Sequence, residues 1–247
     1  IAGGTNVPSE QVFYLNGCNQ RTTVYDQPLS QASFRDLAVD GAGNAVATTD
    51  SGFWKMTPVG TYPIALPGLP ANDVGALAFD RFDNLYVASY IKTATTQAAA
   101  VYVSPVGTIS WFPIAVVFNG LIPWSEGILG LAVDSTKRNS IYLMKNSGSR
   151  DRALIDRYID LNGDGSYFKL IGSTIAADPG EIVEIAAIDA GLGLTLDARA
   201  NIVASVAASE GRSVVKLTDK NNDGDFKDPS EYKVIYQSTL YTQLKDI

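Results

Sequence analysis

Short apolar runs that end in an aspartate recur along the chain. They span residues 37–40, 77–80, 131–134 and 194–197, and each is followed within a few residues by an asparagine that leads a second apolar run: Asn44, Asn84, Asn139 and Asn201. An aspartate at the end of a buried strand can accept hydrogen bonds from the N–H groups of a tight turn, while Gly or Asn takes the position that needs a positive φ. Each copy therefore predicts a β-hairpin.

A second hairpin follows each copy. Residues 53–56 and 62–65 are joined by a Pro-Val-Gly turn, as are residues 101–103 and 109–112, whereas residues 153–158 and 214–218 lead into longer acidic loops. Four strands per unit is the arrangement of a β-propeller blade. An unrelated set of hairpins in a β-sandwich is the alternative.

The two ends of the chain complement each other. Residues 1–5 and 12–15 align with residues 46–49 and 53–56, so the chain starts at a second strand, and residues 244–247 match the start of a first strand at residues 34–37. We therefore predict one all-β domain over residues 1–247, a five-bladed β-propeller of four-stranded antiparallel blades closed by pairing its N- and C-terminal strands in one blade. A cropped six-bladed ring and an open, strand-exchanged assembly are the alternatives.

Composition narrows the function classes. With 46% hydrophobic and 18% charged residues, 22 Gly and 11 Pro, the chain suits short strands joined by tight turns. The formal charge of −7, without a long basic run, argues against nucleic acid and anionic lipid partners, and no apolar stretch is long enough to span a bilayer. The single cysteine, Cys18, cannot form an internal disulfide and is interpreted as a turn residue.

Histidine is absent from the sequence. This excludes Ser-His-Asp and Cys-His nucleophilic systems, His-ligated zinc sites and histidine general bases. Any chemistry must therefore use carboxylates, Lys, Tyr or a hard cation, and no catalytic residue is assigned.

The repeating Leu-Ala-Val-Asp, Gly-Asn, Val-Ala pattern, seen complete at residues 37–47, resembles the repeat of the NHL and SMP-30/gluconolactonase-like propellers over nearly the whole chain. The resemblance implies the fold, but that group includes lactonases, lyases and binding scaffolds, so the repeat does not choose a function. Streptogramin-lyase-like and paraoxonase-like members use histidines that this chain lacks. The Glu, Asn and Asp metal ligands of the gluconolactonase-like members cannot be mapped onto it residue by residue.

The acidic stretch at residues 219–231 is the strongest local motif. Oxygen ligands alternate at its first, third and fifth positions, a glycine permits the bend at the sixth, and carboxylates return later, as in a calcium loop. Ser230 stands at the twelfth position, so a helical EF-hand is not expected. We predict a structural Ca²⁺ bound by Asp219, Asn221, Asp223, Asp225, Asp228 and Glu231. A metal-free turn rich in Asp and Asn is the alternative.

A second acidic loop repeats the first half of this motif with Asp160, Asn162 and Asp164. Phe168 and Ile171 stand where later ligands are expected, so the loop lacks a later carboxylate and predicts either a weak calcium site or a metal-free turn. Both loops are expected on the face opposite the usual ligand funnel, which favours structural metals. Weak oxygen-only sites fill at extracellular calcium levels, which favours an extracellular or cell-surface location, with the periplasm as a further option.

The face opposite the acidic loops is expected to gather a tryptophan, arginines and carboxylates: Asp73, Trp124, Glu126, Arg150, Arg152, Asp189 and Arg212. Such a set can stack on and hydrogen-bond a sugar or an anionic ligand, although loop-tip charges are more often simply solvated. The sequence thus favours a calcium-stabilised, non-enzymatic binding or assembly module, with a protein, matrix or carbohydrate ligand or self-assembly. The alternative is a calcium-dependent hydrolase, lactonase or lyase that uses channel-mouth carboxylates, namely Asp73, Glu126 and Asp189.

Overall fold

The computed structural model describes residues 2–4, 9–15, 21–28, 34–49, 52–57, 60–69, 73–92, 97–108, 110–119, 128–134, 136, 140–146, 152–164, 167–171, 174–177, 180–208, 211–238 and 243–246. These residues form strands and turns, together with one short 3₁₀ turn at Pro229–Glu231. Within these ranges, no helix has the length and apolar character needed to cross a membrane.

The strands alternate with short turns along the whole chain. In chain order they are β1 (Ala2–Gly4), β2 (Ser9–Leu15), β3 (Arg21–Pro28), β4 (Phe34–Val39), β5 (Ala45–Thr49), β6 (Gly52–Thr57), β7 (Gly60–Ile64), β8 (Asp73–Phe79), β9 (Leu85–Lys92), β10 (Gln97–Ser104), β11 (Phe112–Asn119), β12 (Ile128–Asp134), β13 (Ser140–Asn146), β14 (Arg152–Tyr158), β15 (Phe168–Ile171), β16 (Thr174–Ala177), β17 (Ile182–Asp189), β18 (Gly191–Leu196), β19 (Ile202–Ala208), β20 (Gly211–Leu217), β21 (Tyr232–Ser238) and β22 (Gln243–Asp246).

The described strands form five four-stranded antiparallel sheets and one separate hairpin. Sheet 1 has the order β22-β1-β2-β3, sheet 2 contains β4 to β7, sheet 3 contains β8 to β11, sheet 4 has the order β12-β13-β14-β17, and sheet 5 contains β18 to β21. The hairpin β15-β16 is inserted between the third and fourth strands of sheet 4. Each sheet thus has the strand arrangement of a propeller blade, and the predicted all-β propeller fold is confirmed.

The inner strands of neighbouring sheets contact one another in sequence. Contacts link β4 with β8, β8 with β12, β12 with β18, β18 with β22, and β22 with β4. The strand β22 also pairs antiparallel with β1, with Ala2 opposite Asp246 and Gly4 opposite Gln243. The first and last strands of the described chain therefore lie in one sheet.

Mostly aliphatic residues line the centre of the propeller. A cavity of about 230 Å³ is lined by the same three positions of four inner strands: Leu37, Ala38, Val39, Leu77, Ala78, Phe79, Leu131, Ala132, Val133, Leu194, Thr195 and Leu196. The inner strands approach closely here, because a Cβ atom added to Gly130 would lie 2.6 Å from the backbone nitrogen of Leu194. A residue larger than glycine at position 130 would push β12 away from β18.

The aspartate turns form the hydrogen bonds that the sequence predicts. The Asp40 carboxylate accepts hydrogen bonds from the backbone nitrogen atoms of Ala42 at 3.0 Å and Asn44 at 2.7 Å, and from the side-chain amide of Asn44. The same bonds join Asp80 to Phe82 and Asn84, and Asp197 to Arg199 and Asn201. In the third copy Asp134 accepts from the Thr136 nitrogen at 2.9 Å, and Asn139 lies outside the described residues.

Asp197 also accepts a hydrogen bond from the ammonium group of Lys216. Partial burial by itself raises the pKa of the Asp197 carboxyl, but the bonds from Lys216, Asn201 and two backbone amides outweigh it and hold this pKa well below its usual range. A carboxyl with a lowered pKa stabilises the folded state above its unfolded pKa, and this stabilisation is lost as the pH falls through its folded pKa.

We expect Asp197→Asn to lower the free energy of unfolding by about 1 kcal/mol at neutral pH, because it loses the charge-assisted bond from Lys216. The difference from the wild type should shrink as the pH falls below about 4. Urea unfolding of both proteins between pH 3 and pH 7 in chelator measures it. A difference that stays constant over this range would contradict the assignment.

Candidate metal loops

The loop between β20 and β21 is folded around its own carboxylates. The Asn221 Oδ1, Asp223 Oδ1 and Asp225 Oδ1 atoms each accept a hydrogen bond from the backbone nitrogen two residues later, at 2.9–3.0 Å. Asp219 Oδ2 accepts from the Gly224 nitrogen at 3.1 Å. Chiefly because of the Asp225 backbone hydrogen bond, the pKa of Asp223 is lowered. The loop therefore holds its acidic side chains in one compact turn.

Glu231 links the end of this loop to its beginning through hydrogen bonds. Its side chain is only 2% exposed, and its Oε1 atom accepts a hydrogen bond from the Lys220 nitrogen at 2.8 Å. Its backbone oxygen accepts from the Thr218 nitrogen at 3.0 Å. Glu231 therefore joins the two ends of the loop at the base of the turn.

The loop that follows β14 contains a residue that the sequence interpretation missed. Glu181, which is 1% exposed, accepts hydrogen bonds at Oε1 from the Leu161 nitrogen at 2.9 Å and from the Asn162 nitrogen at 3.1 Å. Its backbone oxygen accepts from the Ile159 nitrogen at 2.9 Å, as that of Glu231 does from Thr218. The expectation that the Asp160 loop lacks a later carboxylate is therefore wrong.

The hairpin β15-β16 explains the error. It separates Glu181 from Asp160 by many residues in sequence, while the strand pairing returns the chain to the base of the loop. One sequence signal could have revealed the carboxylate: the Asp-Pro-Gly-Glu segment at residues 178–181 repeats the Asp-Pro-Ser-Glu segment at residues 228–231.

The two acidic loops share much of their local geometry. Asn162 repeats the contacts of Asn221, since its Oδ1 accepts from the Asp164 nitrogen at 2.8 Å and its Nδ2 donates to Asp164 Oδ2 at 3.1 Å. The fourth position has a positive φ in both loops, 78° at Gly163 and 60° at Asn222. The first aspartates differ, since Asp160 Oδ1 accepts from the Gly163 nitrogen at 2.6 Å, whereas Asp219 Oδ2 accepts from the Gly224 nitrogen. The loops therefore share the asparagine contacts and the positive φ.

The Asp219 loop of sheet 5 is docked onto sheet 4. The Phe226 ring packs against the hydrophobic cluster that contains Ile185, and the Phe226 nitrogen donates to the Ile185 oxygen at 2.8 Å. Arg157 Nη1 donates to the Gly224 oxygen at 3.1 Å. This loop therefore connects two neighbouring sheets.

Tyr167 occupies the corresponding position of the Asp160 loop. It packs in the cluster that contains Tyr86 and Val101 of sheet 3, and its ring lies edge-on to Tyr158 with centroids 5.7 Å apart. Burial, together with the charges of Asp160 and Glu181, raises the pKa of Tyr167 to about 12. The Asp160 loop thus places an aromatic side chain in the hydrophobic interface, or joint, between sheets 3 and 4.

Two carboxylate oxygens at these loops are buried without a hydrogen-bond partner: Asp219 Oδ1 and Glu181 Oε2. An unsatisfied buried oxygen is costly, so each needs an explanation. Within the described ranges, no three carboxylate, imidazole or thiol side chains already form a group that could hold a metal. In the Asp219 loop the Asn221 amide instead donates to Asp223 and Asp228, at 2.8 Å in both cases.

The structure describes only some of the residues that were predicted to form the ligand face. Arg152 begins β14 and Arg212 lies at the start of β20, so both are on third strands at the ends opposite the acidic loops. Asp189 is exposed at the end of β17, opposite Arg152 in the pairing register, and lies on an outermost strand rather than on the channel lining. Only the backbone of Asp73, at the start of β8, is described, and Trp124, Glu126 and Arg150 lie outside the described residues.

No protein family matches the chain, and no curated protein sequence matches it either. Among solved structures, a gluconolactonase from Xanthomonas campestris is similar with a TM-score of 0.51 at 15% identity, over 83% of this chain and 64% of that protein. A protein of unknown function from Bacteroides caccae has a TM-score of 0.48 at 8% identity, over 96% of this chain and 71% of that one. The PQQ-bound aldose sugar dehydrogenase from Streptomyces coelicolor has a TM-score of 0.44 at 10% identity, over 84% and 82%. The likeness to the gluconolactonase supports the propeller fold alone.

We expect Phe226→Ala to lower the free energy of unfolding by about 2–3 kcal/mol, because it removes a ring from the joint between sheets 4 and 5. Phe82→Ala is the matched control. Its ring is 56% exposed in a turn, so that the cost should stay below about 1 kcal/mol. Chemical denaturation of both variants measures the two losses, and equal losses would contradict the docking role of the loop.

Proposed function

We propose that this protein is a secreted or cell-surface propeller that binds another molecule without acting as an enzyme and is stabilised by Ca²⁺. The observation that carries the proposal is that acidic and basic side chains lie at opposite ends of sheets 4 and 5. The acidic loops follow the ends of β14 and β20, whereas Arg152 and Arg212 lie at the starts of these strands. One end is suited to a cation and the other to an anionic or hydroxyl-rich ligand.

The propeller that we propose has five blades and closes on itself. The closed order of contacts among β4, β8, β12, β18 and β22 supports this count, as does the pairing of β22 with β1. Closure of the ring gives the first strand of the chain a partner in β22, while each blade keeps its outermost strand as an edge. We propose that the ligand binds at the ends of the blades, where Arg152 and Arg212 lie.

Oxygen donors of the Asp219 loop match the preference of Ca²⁺ for carboxylates, amide oxygens and water. Asp219, with its unpartnered Oδ1 atom, would bind the ion together with Asn221, Asp223 and Asp228. The Asn221 side-chain amide donates hydrogen bonds to both Asp223 and Asp228. A cation bound between these two carboxylates would neutralise their charges. Asp225 and Glu231 complete the predicted ligand set.

Calcium at this loop would supply structural rather than catalytic chemistry. The loop is attached to sheet 4 through Phe226 and Arg157, so an ion that fixes the loop also fixes the joint between two sheets. An ion that binds only the folded loop adds its binding free energy to the stability of the fold.

The ligand is proposed to bind at the opposite end. Arg152 and Arg212 occupy equivalent positions on the third strands of neighbouring sheets, and Asp189 lies across from Arg152. Guanidinium groups bind carboxylate, sulfate or phosphate groups with two parallel hydrogen bonds, and sugar hydroxyls pair with both arginine and carboxylate. We therefore propose a matrix protein or an acidic polysaccharide as the ligand class.

Calcium in excess over chelator should raise the melting temperature by about 5 °C. The double variant Asp219→Asn and Asp223→Asn should lose at least half of this rise. Glu184→Gln removes an exposed acid of β17 in sheet 4, whose carboxylate lies 4.0 Å from the Lys227 ammonium group of the loop. Because an exposed ion pair of this kind contributes little to stability, this variant should keep the full rise. Differential scanning calorimetry measures these shifts, and a wild type that is insensitive to calcium would contradict the proposal.

The binding role is tested with immobilised heparin, hyaluronate and collagen in the presence of calcium. We expect retention on at least one of them, and we expect Arg152→Ala with Arg212→Ala to weaken it at least tenfold. Arg199→Ala removes an exposed arginine from the turn at the other end of sheet 5 and should bind as the wild type does. No retention on any support, or an equal loss with Arg199→Ala, would contradict the proposed site.

A further inference from the structure

We propose that the Asp160 loop is a second complete site for Ca²⁺, with Glu181 as the ligand that the local motif lacks. The inference deepens the proposed calcium stabilisation and rests on it for the identity of the ion. Its own basis is the position of Glu181, which comes from the part of the chain beyond the inserted hairpin β15-β16.

The first argument is the similarity of the two loops. Each begins with an aspartate, continues with an asparagine bonded to the aspartate two residues later, and has a positive φ at the fourth position. Each is closed by a glutamate whose carbonyl accepts from the residue before the first aspartate. Glu181 therefore stands in the Asp160 loop where Glu231 stands in the Asp219 loop.

The second argument is the state of the Glu181 side chain. It is 1% exposed, Oε1 is turned into the loop by its bonds to the Leu161 and Asn162 nitrogens, and Oε2 has no hydrogen-bond partner. A carboxylate in this position keeps a lone acceptor away from water, at the base of a loop that also carries Asp160 and Asp164. A cation in the loop would give Oε2 a partner and would offset the negative charge of these carboxylates.

The donor chemistry selects the class of cation. Asp160, Asn162, Asp164 and Glu181 supply only oxygen, which suits a hard cation and not zinc or copper. Several carboxylate and amide oxygens from one turn suit the irregular coordination of Ca²⁺ better than the strict octahedron of Mg²⁺. The ion at this site is therefore expected to be Ca²⁺.

A filled second site would act on a second joint of the propeller. Tyr167 carries the Asp160 loop into the cluster between sheets 3 and 4, as Phe226 carries the Asp219 loop into the cluster between sheets 4 and 5. The two ions would then fix two consecutive joints, so that three neighbouring sheets are held by metal-bound loops.

Isothermal titration calorimetry of the full chain with Ca²⁺, supported by Tb³⁺ luminescence, tests the proposal. We expect two bound ions in the wild type, and one in Glu181→Gln with the Asp219 site unchanged. Tyr167 lies near the Asp160 site, so its energy transfer to Tb³⁺ should be lost in the same variant. Glu184→Gln, an exposed glutamate three residues away, should bind two ions.

The outcomes separate this inference from the proposed function. One ion in the wild type, lost in Asp219→Asn and kept in Glu181→Gln, overturns the second site and leaves the first intact. Two ions that are both kept in Glu181→Gln also overturn it, whereas the absence of any ion overturns both proposals. Should Glu181→Gln fail to fold by circular dichroism, Asp164→Ala at the exposed tip replaces it, with at least tenfold weaker binding at one site expected.

Discussion

Across this propeller, carboxylates at strand ends accept hydrogen bonds from backbone amides that would otherwise lack a partner. Asp40, Asp80 and Asp197 do so for the turns between first and second strands. Glu181 and Glu231 do so for the loops between third and fourth strands. Because a sheet satisfies its amides only along the strands, the turns depend on these side chains, and the sheets depend on the turns for their register.

The carboxylate at a strand end also explains how the sheets are connected to each other. An acidic loop held on a buried glutamate projects its aromatic residue in a fixed direction, and that residue enters the hydrophobic cluster of the preceding sheet. The hydrogen bonds within each acidic loop therefore position its aromatic residue, and that residue makes the apolar contact between neighbouring sheets. Negative charge gathers at these loops as a result, and the proposed Ca²⁺ would link the stability of the fold to a cation.

The apolar centre of the ring provides packing between sheets, whereas the polar ends of the blades carry the candidate binding residues. Inner strands that pack as closely as Gly130 against Leu194 leave a small, mostly aliphatic cavity at the centre of the ring. The candidate metal-binding and ligand-binding side chains lie at the two ends of the blades, where strand spacing no longer restricts side-chain type. In the described residues, the candidate carboxylate Asp189 follows this division, since it lies on an outer strand and away from the cavity.

The sequence by itself determined the features that depend on neighbours in the chain: the aspartate turns, the apolar inner strands and the calcium-like pattern from Asp219 to Glu231. These follow from hydrogen bonds that reach only a few residues. Tertiary structure decided that Glu181 closes the Asp160 loop, because the inserted hairpin moves it away from the spacing of the motif, and the repeated Asp-Pro-x-Glu segment is its one sequence signal. It also decided which sheet each aromatic residue contacts, and that Gly130 has no room for a side chain, since both depend on how separate sheets approach one another.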